Sequence, residues 1–452
     1  MSKTTNIPHI PFIKVLANLN SFASNPALFF KEALDKNKGL ATINVPSGPI
    51  LITDRPELIQ HVLQKNNKNY TKTRVVREVL KKQVGNGLLT SEGEYWLKQR
   101  RAIQPGFHRK RLEGISTIMV QEINTYLDDV FDSYTESGEE IDISKEMTLL
   151  AFKIVSKSLF GEEVEDNKLE LIEKIVSESQ QFVVNQVRKP MLKPWFHLSG
   201  AYKRNRELKE TGDALIMEII AARQQSNEEH NDLLDMLIQT KYEDGSGMND
   251  KQLLEEAIIL YVAGHETSAN AMAWMWYLIA EHPEIEEKTL QSVQDSIGNE
   301  DPSFEKLRNL GYCLQVIEET MRLYPPAWVV DRESLGDDEF QGIPIKKGSD
   351  VLCFIYGVHR SERYWQDPET FDPERFTAEN KAKQVPFSYM PFGGGPRLCI
   401  GNNFALMEMQ FVLAMMIKRY RFKVVEDQTI DINPLITLRP RYGIKMTVSK
   451  RK

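Results

Sequence analysis

Cysteine is scarce in this chain: 452 residues contain three, Cys313, Cys353 and Cys399. An odd number with no C-x-x-C pair excludes a disulfide framework and gives no sign of a cysteine-rich zinc site. It also fits a reducing compartment, so the cytoplasm is the expected location. Long uninterrupted apolar runs are missing too. The opening stretch MSKTTNIPHIPFIKVLANLN carries prolines, a histidine and lysines, without an unbroken apolar core or a small-residue cleavage site. Neither a membrane anchor nor an export signal is therefore expected. No charge sign dominates: 57 basic and 64 acidic side chains leave a net charge of −7, which argues against a general nucleic-acid binder. Linkers and low-complexity stretches are lacking as well, and at 41% apolar content the chain reads as one large domain, residues 1–452.

Against this scarcity one cysteine has a distinctive setting, Phe392-Gly393-Gly394-Gly395-Pro396-Arg397-Leu398-Cys399-Ile400-Gly401. The glycines permit positive φ and leave no Cβ atoms to obstruct a flat ligand against the main chain, and Pro396 stiffens the turn. Past Gly401 the run NNFALMEMQFVLAMMIKRY has helical periodicity, which puts the sulfur ahead of a helix N-terminus that favours a thiolate. Two readings compete with an iron ligand. One is an ordinary buried thiol in a glycine-rich turn; the other is a phosphate-binding loop, for which the Gly-Lys-Ser/Thr is missing. Neither explains Arg397, placed to give a carboxylate a bidentate charge-assisted bond.

The fixed positions Phe392, Gly395, Arg397, Cys399 and Gly401 resemble the signature Phe-x-x-Gly-x-Arg-x-Cys-x-Gly of the cytochrome P-450 family. The resemblance implies that Cys399 is the thiolate ligand of haem b, with Arg397 on a propionate. Trp96 and Arg100 stand four apart and share a helical face; the plain reading is a packed tryptophan beside a solvated arginine, but the pair is also similar to the family's propionate-binding Trp-x-x-x-Arg. Arg332 and His359 occupy positions where the family often contacts propionates.

A long helix is predicted from Asn249, with Gln252 completing a capping box, to Glu281. Within it, Gly264 costs roughly 1 kcal/mol relative to alanine, which suggests close approach of a ligand. Glu266 and Thr267 follow, and a threonine hydroxyl turned away from its own i−4 carbonyl can admit water and a proton route. A small-residue helix crossing is the alternative. Ala263-Gly264-His265-Glu266-Thr267-Ser268 resembles the family's oxygen-activating motif, which gives Glu266 and Thr267 the role of organising proton supply. His265-Glu266 does not begin a zinc-protease motif, because position 269 is alanine. Glu319 and Arg322, three apart before Pro325-Pro326, with Arg375 in FDPERF, resemble the family's buried charge network and are assigned to folding.

Elsewhere the chain predicts a hairpin over 41–54, a short helix from Pro56, an irregular region over 71–92, helices from Arg109 to about Gln225 including one capped by Ser144 and closed by Gly161, short strands in WVVDRES and IPIKKGSDVLCFIYGVHRS, and a closing hairpin with its tip near Ile436 and Thr437. The helices at 166–188 and 199–226 correspond to a mobile lid in the family. The fold implied is mainly α with a smaller β-rich part, a helical prism enclosing haem, matched from about residue 41, with 1–40 as an N-terminal extension. Pocket residues inferred from the family arrangement are Arg74, Val75, Val76, Arg77, Leu88, Ile259, Ala263, Trp328, Val329 and Ile436. Their apolar majority suits a terpene, fatty acid or aromatic ether; Arg74 and Arg77 turned inward would suit O-demethylation of a methylated polar compound such as a sugar. The implied activity is dioxygen-dependent hydroxylation or O-dealkylation using two electrons and two protons. Rival readings are a peroxygenase or isomerase on the same fold, which would not need the Glu266-Thr267 pair, and a haem sensor, which would carry a regulatory domain. With no length for a fused reductase, NAD(P)H electrons are expected through a separate ferredoxin or flavodoxin and its reductase. That donor would dock on a monomer at a basic concentration of Lys98, Arg101, Arg109, Lys110 and Arg111.

Overall fold

A computed structural model of the chain describes residues 7–11, 24–45, 48–161, 164–188, 192–226, 228, 230 and 232–451. The strand β1 (His9–Ile10) runs parallel to β2 (Leu40–Val45), which pairs antiparallel with β3 (Gly48–Thr53). The expected hairpin is present, although Ser47 at its tip lies outside the described residues. Between β1 and β2, helix α1 (Pro26–Lys36) is capped by Asn25, whose side chain accepts from the Leu28 N–H, and buries Ala27, Phe30 and Leu34. The described residues ahead of position 40, 7–11 and 24–39, thus include a strand of the main sheet and a helix packed on the core.

The other strands are β4 (Tyr70–Thr71), β5 (Ile141–Asp142), β6 (Val330–Ser334), β7 (Asp338–Phe340), β8 (Ile343–Ile345), β9 (Asp350–Cys353), β10 (Tyr420–Val424), β11 (Ile432–Pro434), β12 (Leu438–Pro440) and β13 (Lys445–Lys450). Order β1-β2-β3-β9-β6-β4 makes a six-stranded sheet, β10-β13-β5 a three-stranded one, and β7-β8 and β11-β12 are hairpins. After β9, the run Ile355–His359 is a short helix, not a strand. Every residue in it is buried, so its sequence has no polar face from which to tell a period of two from one of 3.6.

The main helices are α2 (Gly93–Ile103), α3 (Arg109–Tyr126), α4 (Ile143–Phe160), α5 (Asp166–Arg188), α6 (Ala201–Gln225), α7 (Asp250–Glu281), α8 (Pro283–Ile297), α9 (Gly311–Leu323) and α10 (Asn402–Arg419). Helix α4 closes at Gly161 with φ 84°, but its cap is Asp142, which accepts from the Ser144 N–H at 3.0 Å. The same carboxylate accepts from the Ile444 N–H at 3.2 Å, so a tertiary contact with the approach to β13 decides the cap. The region 71–92 is more helical than expected, with a wide turn at Val76–Leu80 and a helix at Lys81–Val84.

Helix α7 runs through the core with its Asn249–Gln252 capping box formed. It buries Trp274 and Trp276, and Trp274 stacks on Tyr324 at 3.9 Å. Gly264 serves the packing of two helices. A Cβ there would lie 2.7 Å from Val155 Cγ2 of α4, so the glycine lets the two helices cross.

Candidate functional site

The glycines of the cysteine loop shape the loop itself. A Cβ on Gly395, where φ is 69°, would lie 1.9 Å from the Leu63 carbonyl oxygen, and one on Gly394 would meet the Phe387 ring. The Cys399 N–H donates to Phe392 O at 3.1 Å and closes the loop, while Gly401 sits at the N-cap of α10. Cys399 keeps exposed surface, yet burial pushes its thiol pKa up. Both hold if that surface opens onto an enclosed space and not bulk water. The Gly401 amide and the Arg100 guanidinium oppose the upward shift. Arg100 itself donates from Nη1 to Leu398 O at 2.9 Å.

Cations gather at one edge. Arg397 lies 4.2 Å over the Trp96 ring, donates to Glu92 Oε2 at 2.8 Å and to Ser91 O at 3.0 Å. Arg332 is buried and donates to Asp331 O at 2.7 Å. Between them stands Lys72, which carries no motif. Burial, then the charges of Arg332 and Arg397, push its ammonium pKa down to about 7, with Asp331 and Glu92 opposing. Three desolvated cations with only nearby carboxylates to balance them form a site for a dianionic group, which suits the two propionates of a haem. The thiol, the cation cluster and Ala263, exposed in mid-helix on α7, fit a haem held by Cys399.

His359 does not join this edge. It is fully buried, accepts from the Met390 N–H at 2.8 Å and stacks on Tyr389 at 5.3 Å. Burial, then the Arg322 charge, hold it neutral with a pKa of about 3. The Arg322 guanidinium donates to its carbonyl at 2.8 Å, so it belongs to the structural network instead.

On α7 the Thr267 hydroxyl donates to Ala263 O, its own i−4 carbonyl, at 2.9 Å, in place of the expected turn to a neighbour. Glu266 is tied to the tip of the β11-β12 hairpin. Its Oε1 accepts from Arg439 Nε at 3.0 Å, from Arg439 Nη2 at 2.6 Å and from the Thr437 hydroxyl. Asn270 donates to Thr437 Oγ1 at 3.1 Å and extends the clasp. His265 is buried, contacts Tyr261 O, and is kept neutral by desolvation. Behind this segment, Glu408 of α10 is fully buried near Ser268, and burial pushes its carboxyl up to about 8.

A cavity of about 280 Å³ adjoins the segment, lined on α7 by Ile258, Val262, Ala263, Glu266 and Thr267. Helices α5 and α6 roof it, and Leu80, Gln83, Val84, Leu89, Ala327, Ile436 and Thr437 complete the wall. Of the ten expected pocket residues, Ala263 and Ile436 line it. Leu88, Ile259 and Trp328 are each one position from a lining residue; Ile259 and Trp328 turn into the packed interior, and Leu88 donates its N–H to Glu256. Val329 is half-buried, while Val75 is exposed and Val76 sits beside it on the wide turn. Arg74 and Arg77 face outward, paired with Glu78 and Glu333.

Glu319 and Arg322 are fully buried and bond at 2.6 and 2.8 Å, with Arg375 Nε 3.4 Å from Glu319. Burial raises the Glu319 carboxyl pKa despite Arg322. The basic residues expected to receive a donor are partnered: on α2 Lys98 donates to Asp244 at 3.1 Å and Arg101 to Glu243 at 3.0 Å, and on α3 Arg111 donates to Gln239 at 3.0 Å. The side chains of Arg109 and Lys110 lie outside the described residues.

The chain matches the family model described as Cytochrome P450 over residues 7–448. Among curated proteins it is 30% identical to the protein LUTEIN DEFICIENT 5, chloroplastic, of Arabidopsis thaliana, over 89% of this chain and 70% of that one. It is 31% identical to a cytokinin hydroxylase of Arabidopsis thaliana, over 88% and 78%, and 28% identical to a cyclooctat-9-en-7-ol 5-monooxygenase of Streptomyces melanosporofaciens, over 89% and 86%. The fold matches the crystal structure of the cytochrome P450DA heme domain with a TM-score of 0.89 at 22% identity, covering 99% of this chain and 98% of that one. Cysteine loop, cation edge, α7 segment and full-length match lead to one conclusion: this chain belongs to the cytochrome P450 family.

Proposed function

We propose that the chain is a haem-thiolate monooxygenase that hydroxylates, or removes an O-alkyl group from, a small and largely apolar compound. The observation that carries this is the cavity itself, in which apolar side chains meet Glu266 and Thr267 on one wall of α7. Cys399 would hold the haem iron, and Lys72, Arg332 and Arg397, with Trp96 and Arg100 beside them, its propionates. Bound there, haem supplies thiolate-assisted activation of dioxygen. The protein's own part is to place substrate, exclude water and deliver protons. With its hydrogen engaged by Ala263 O, the Thr267 hydroxyl presents its oxygen lone pairs to the cavity and can accept a bond there. Glu266, held by Arg439 and Thr437, keeps a carboxyl group at the same wall. Since Arg74 and Arg77 are engaged outside, a methylated sugar loses its support, whereas a hydrocarbon-rich substrate such as a terpene gains from the lining and from the relative that acts on cyclooctat-9-en-7-ol.

Electrons would come from NAD(P)H through a separate ferredoxin or flavodoxin docking near α2 and the cysteine loop, with the protein acting as a cytoplasmic monomer. Among the described residues no helix is long and apolar enough to cross a membrane. The test is spectroscopic. Reduced protein under carbon monoxide should show the red-shifted Soret band of a thiolate complex, and Cys399→Ser should abolish it; an unchanged band in the variant overturns the reading.

A further inference from the structure

Helix α6 carries three basic–acidic pairs one turn apart, and one of them is turned the wrong way for a surface helix. Lys203–Glu207 and Arg206–Glu210 lie on the outer face, with side chains 54–72% exposed. Lys209–Asp213 faces inward: its side chains are 27% and 29% exposed, and both residues line the cavity. Lys209 Nζ donates to both carboxylate oxygens of Asp213, at 2.8 and 2.6 Å. The pairing of α5 with α6 fixes what stands opposite. Lys168 bonds Glu218 at 2.7 Å, and a Cβ on Gly212 would touch Ile175 at 3.0 Å, so the helices are antiparallel and Lys209 falls at the level of Ser177 and Glu178, within a turn of Ser179 and Gln180. Those two residues line the cavity as well. A polar spot is thus set in an otherwise apolar roof, on helices other than the one that bears Glu266 and Thr267.

We propose that Lys209 and Asp213 determine specificity by binding a hydroxyl group carried by an otherwise hydrocarbon substrate, so that the substrate class is an apolar alcohol. The pair as a whole is neutral, and its mutual bonds use two of the three ammonium N–H donors among the described residues. A hydroxyl can accept the third and donate to the carboxylate at once. A carboxylate substrate would meet the like charge of Asp213, and a pure hydrocarbon would strip water from the pair and return no hydrogen bond. A substrate that displaces water from the pair must replace the bonds that water made, and a hydroxyl does so.

This rests on the monooxygenase reading, but its test needs binding and not turnover. The haem-loaded protein is titrated with farnesol, farnesene and farnesoic acid, following the shift of the haem spectrum. Farnesol should bind about tenfold more tightly than either analogue, the worth of one charge-assisted hydrogen bond. In the Lys209→Met/Asp213→Leu double variant farnesene should equal or exceed farnesol, and in Asp213→Asn farnesoic acid should gain. Equal affinities in the parent protein, no farnesol binding, or an unchanged ranking in a double variant that retains its carbon monoxide band overturns the proposal. Should the double variant fail to fold, an unchanged farnesoic acid affinity in Asp213→Asn overturns it alone. Loss of the thiolate band from the parent protein would instead sink the monooxygenase reading.

Discussion

Lys72 shows what single-residue patterns cannot reveal. It sits in no motif, and its significance comes from Arg332 and Arg397, which the fold brings beside it from far along the chain. Lys72→Met should release haem to apomyoglobin about tenfold faster, the worth of a lost charge-assisted bond; an unchanged transfer rate would remove Lys72 from the propionate site. The opposite failure is His359, whose residue type suits a propionate but whose ring is committed to Met390 and Tyr389. Arg77 was illegible for a similar reason, since Glu333 lies on a strand remote in sequence, whereas the partner of Arg74, Glu78, stands only four residues on and was legible. Glu256 gives a prediction in pH. It is buried, holds the Leu88 N–H at 3.0 Å with one oxygen, and its other oxygen has no partner among the described residues. Burial pushes its carboxyl from 4.5 up to about 7, against the Leu88 amide. A folded pKa above the unfolded one favours the fold fully below pH 4.5, and that advantage is lost as pH rises through 7. Glu256→Gln should therefore leave the unfolding midpoint nearly unchanged at pH 4.5 and raise stability at pH 8 by up to about 3 kcal/mol. Equal gains at both pH values in urea unfolding would contradict this.

At the scale of elements, the helices with local caps were the most legible. The Asn249–Gln252 box and the Gly161 terminus are written within a few residues of the ends they set. Where a cap or a strand depends on a distant partner, the local pattern misleads, as with Asp142 at α4 and the buried helix Ile355–His359. The β1 strand and α1 were missed because their partners lie in β2 and the core beyond it. The turn between Lys241 and Gly247 changes the picture of the α2 surface. It is pinned by Gln99 donating to the Tyr242 hydroxyl at 2.8 Å, and places Glu243 and Asp244 on Arg101 and Lys98. Acidic side chains thus occupy the basic face that a negatively charged donor would use. Exposed pairs of this kind add little to stability, so Glu243→Gln with Asp244→Asn should leave the unfolding midpoint nearly unchanged. Stopped-flow reduction by an acidic ferredoxin should speed several-fold at low salt, and the gain should fade as ionic strength rises. A rate indifferent to both changes would place docking elsewhere.

Over the whole molecule, the buried Arg322 guanidinium ties α9 to a long irregular stretch, donating to His359 O, Pro368 O and Thr370 O, while Glu319 accepts from the Asp372 N–H at 2.9 Å. Removing one partner strands a charge inside, so Arg322→Met should lower stability by about 3–5 kcal/mol and reduce the haem-loaded fraction. An unfolding midpoint equal to that of the parent would show the network to be dispensable. The global class, mainly helical with a smaller β part, was legible because the helical periods are long and the cysteine-loop spacing is specific. The cavity wall was not, since a shift of one residue along α7 exchanges Ile259 for Ile258 and turns a lining side chain into a packed one. The clasp between Glu266 and the β11-β12 hairpin also bears on how the protein is made. Arg439 follows Glu266 by 173 positions, so at about 5–20 residues per second a ribosome would take roughly ten to thirty seconds to supply it. For the first 133 of those positions the newly made α7 lacks both its cysteine loop and the hairpin that closes the cavity, and chaperones would meet an open cleft. If Cys399 holds haem as proposed, capture would follow the emergence of both Cys399 and Arg439.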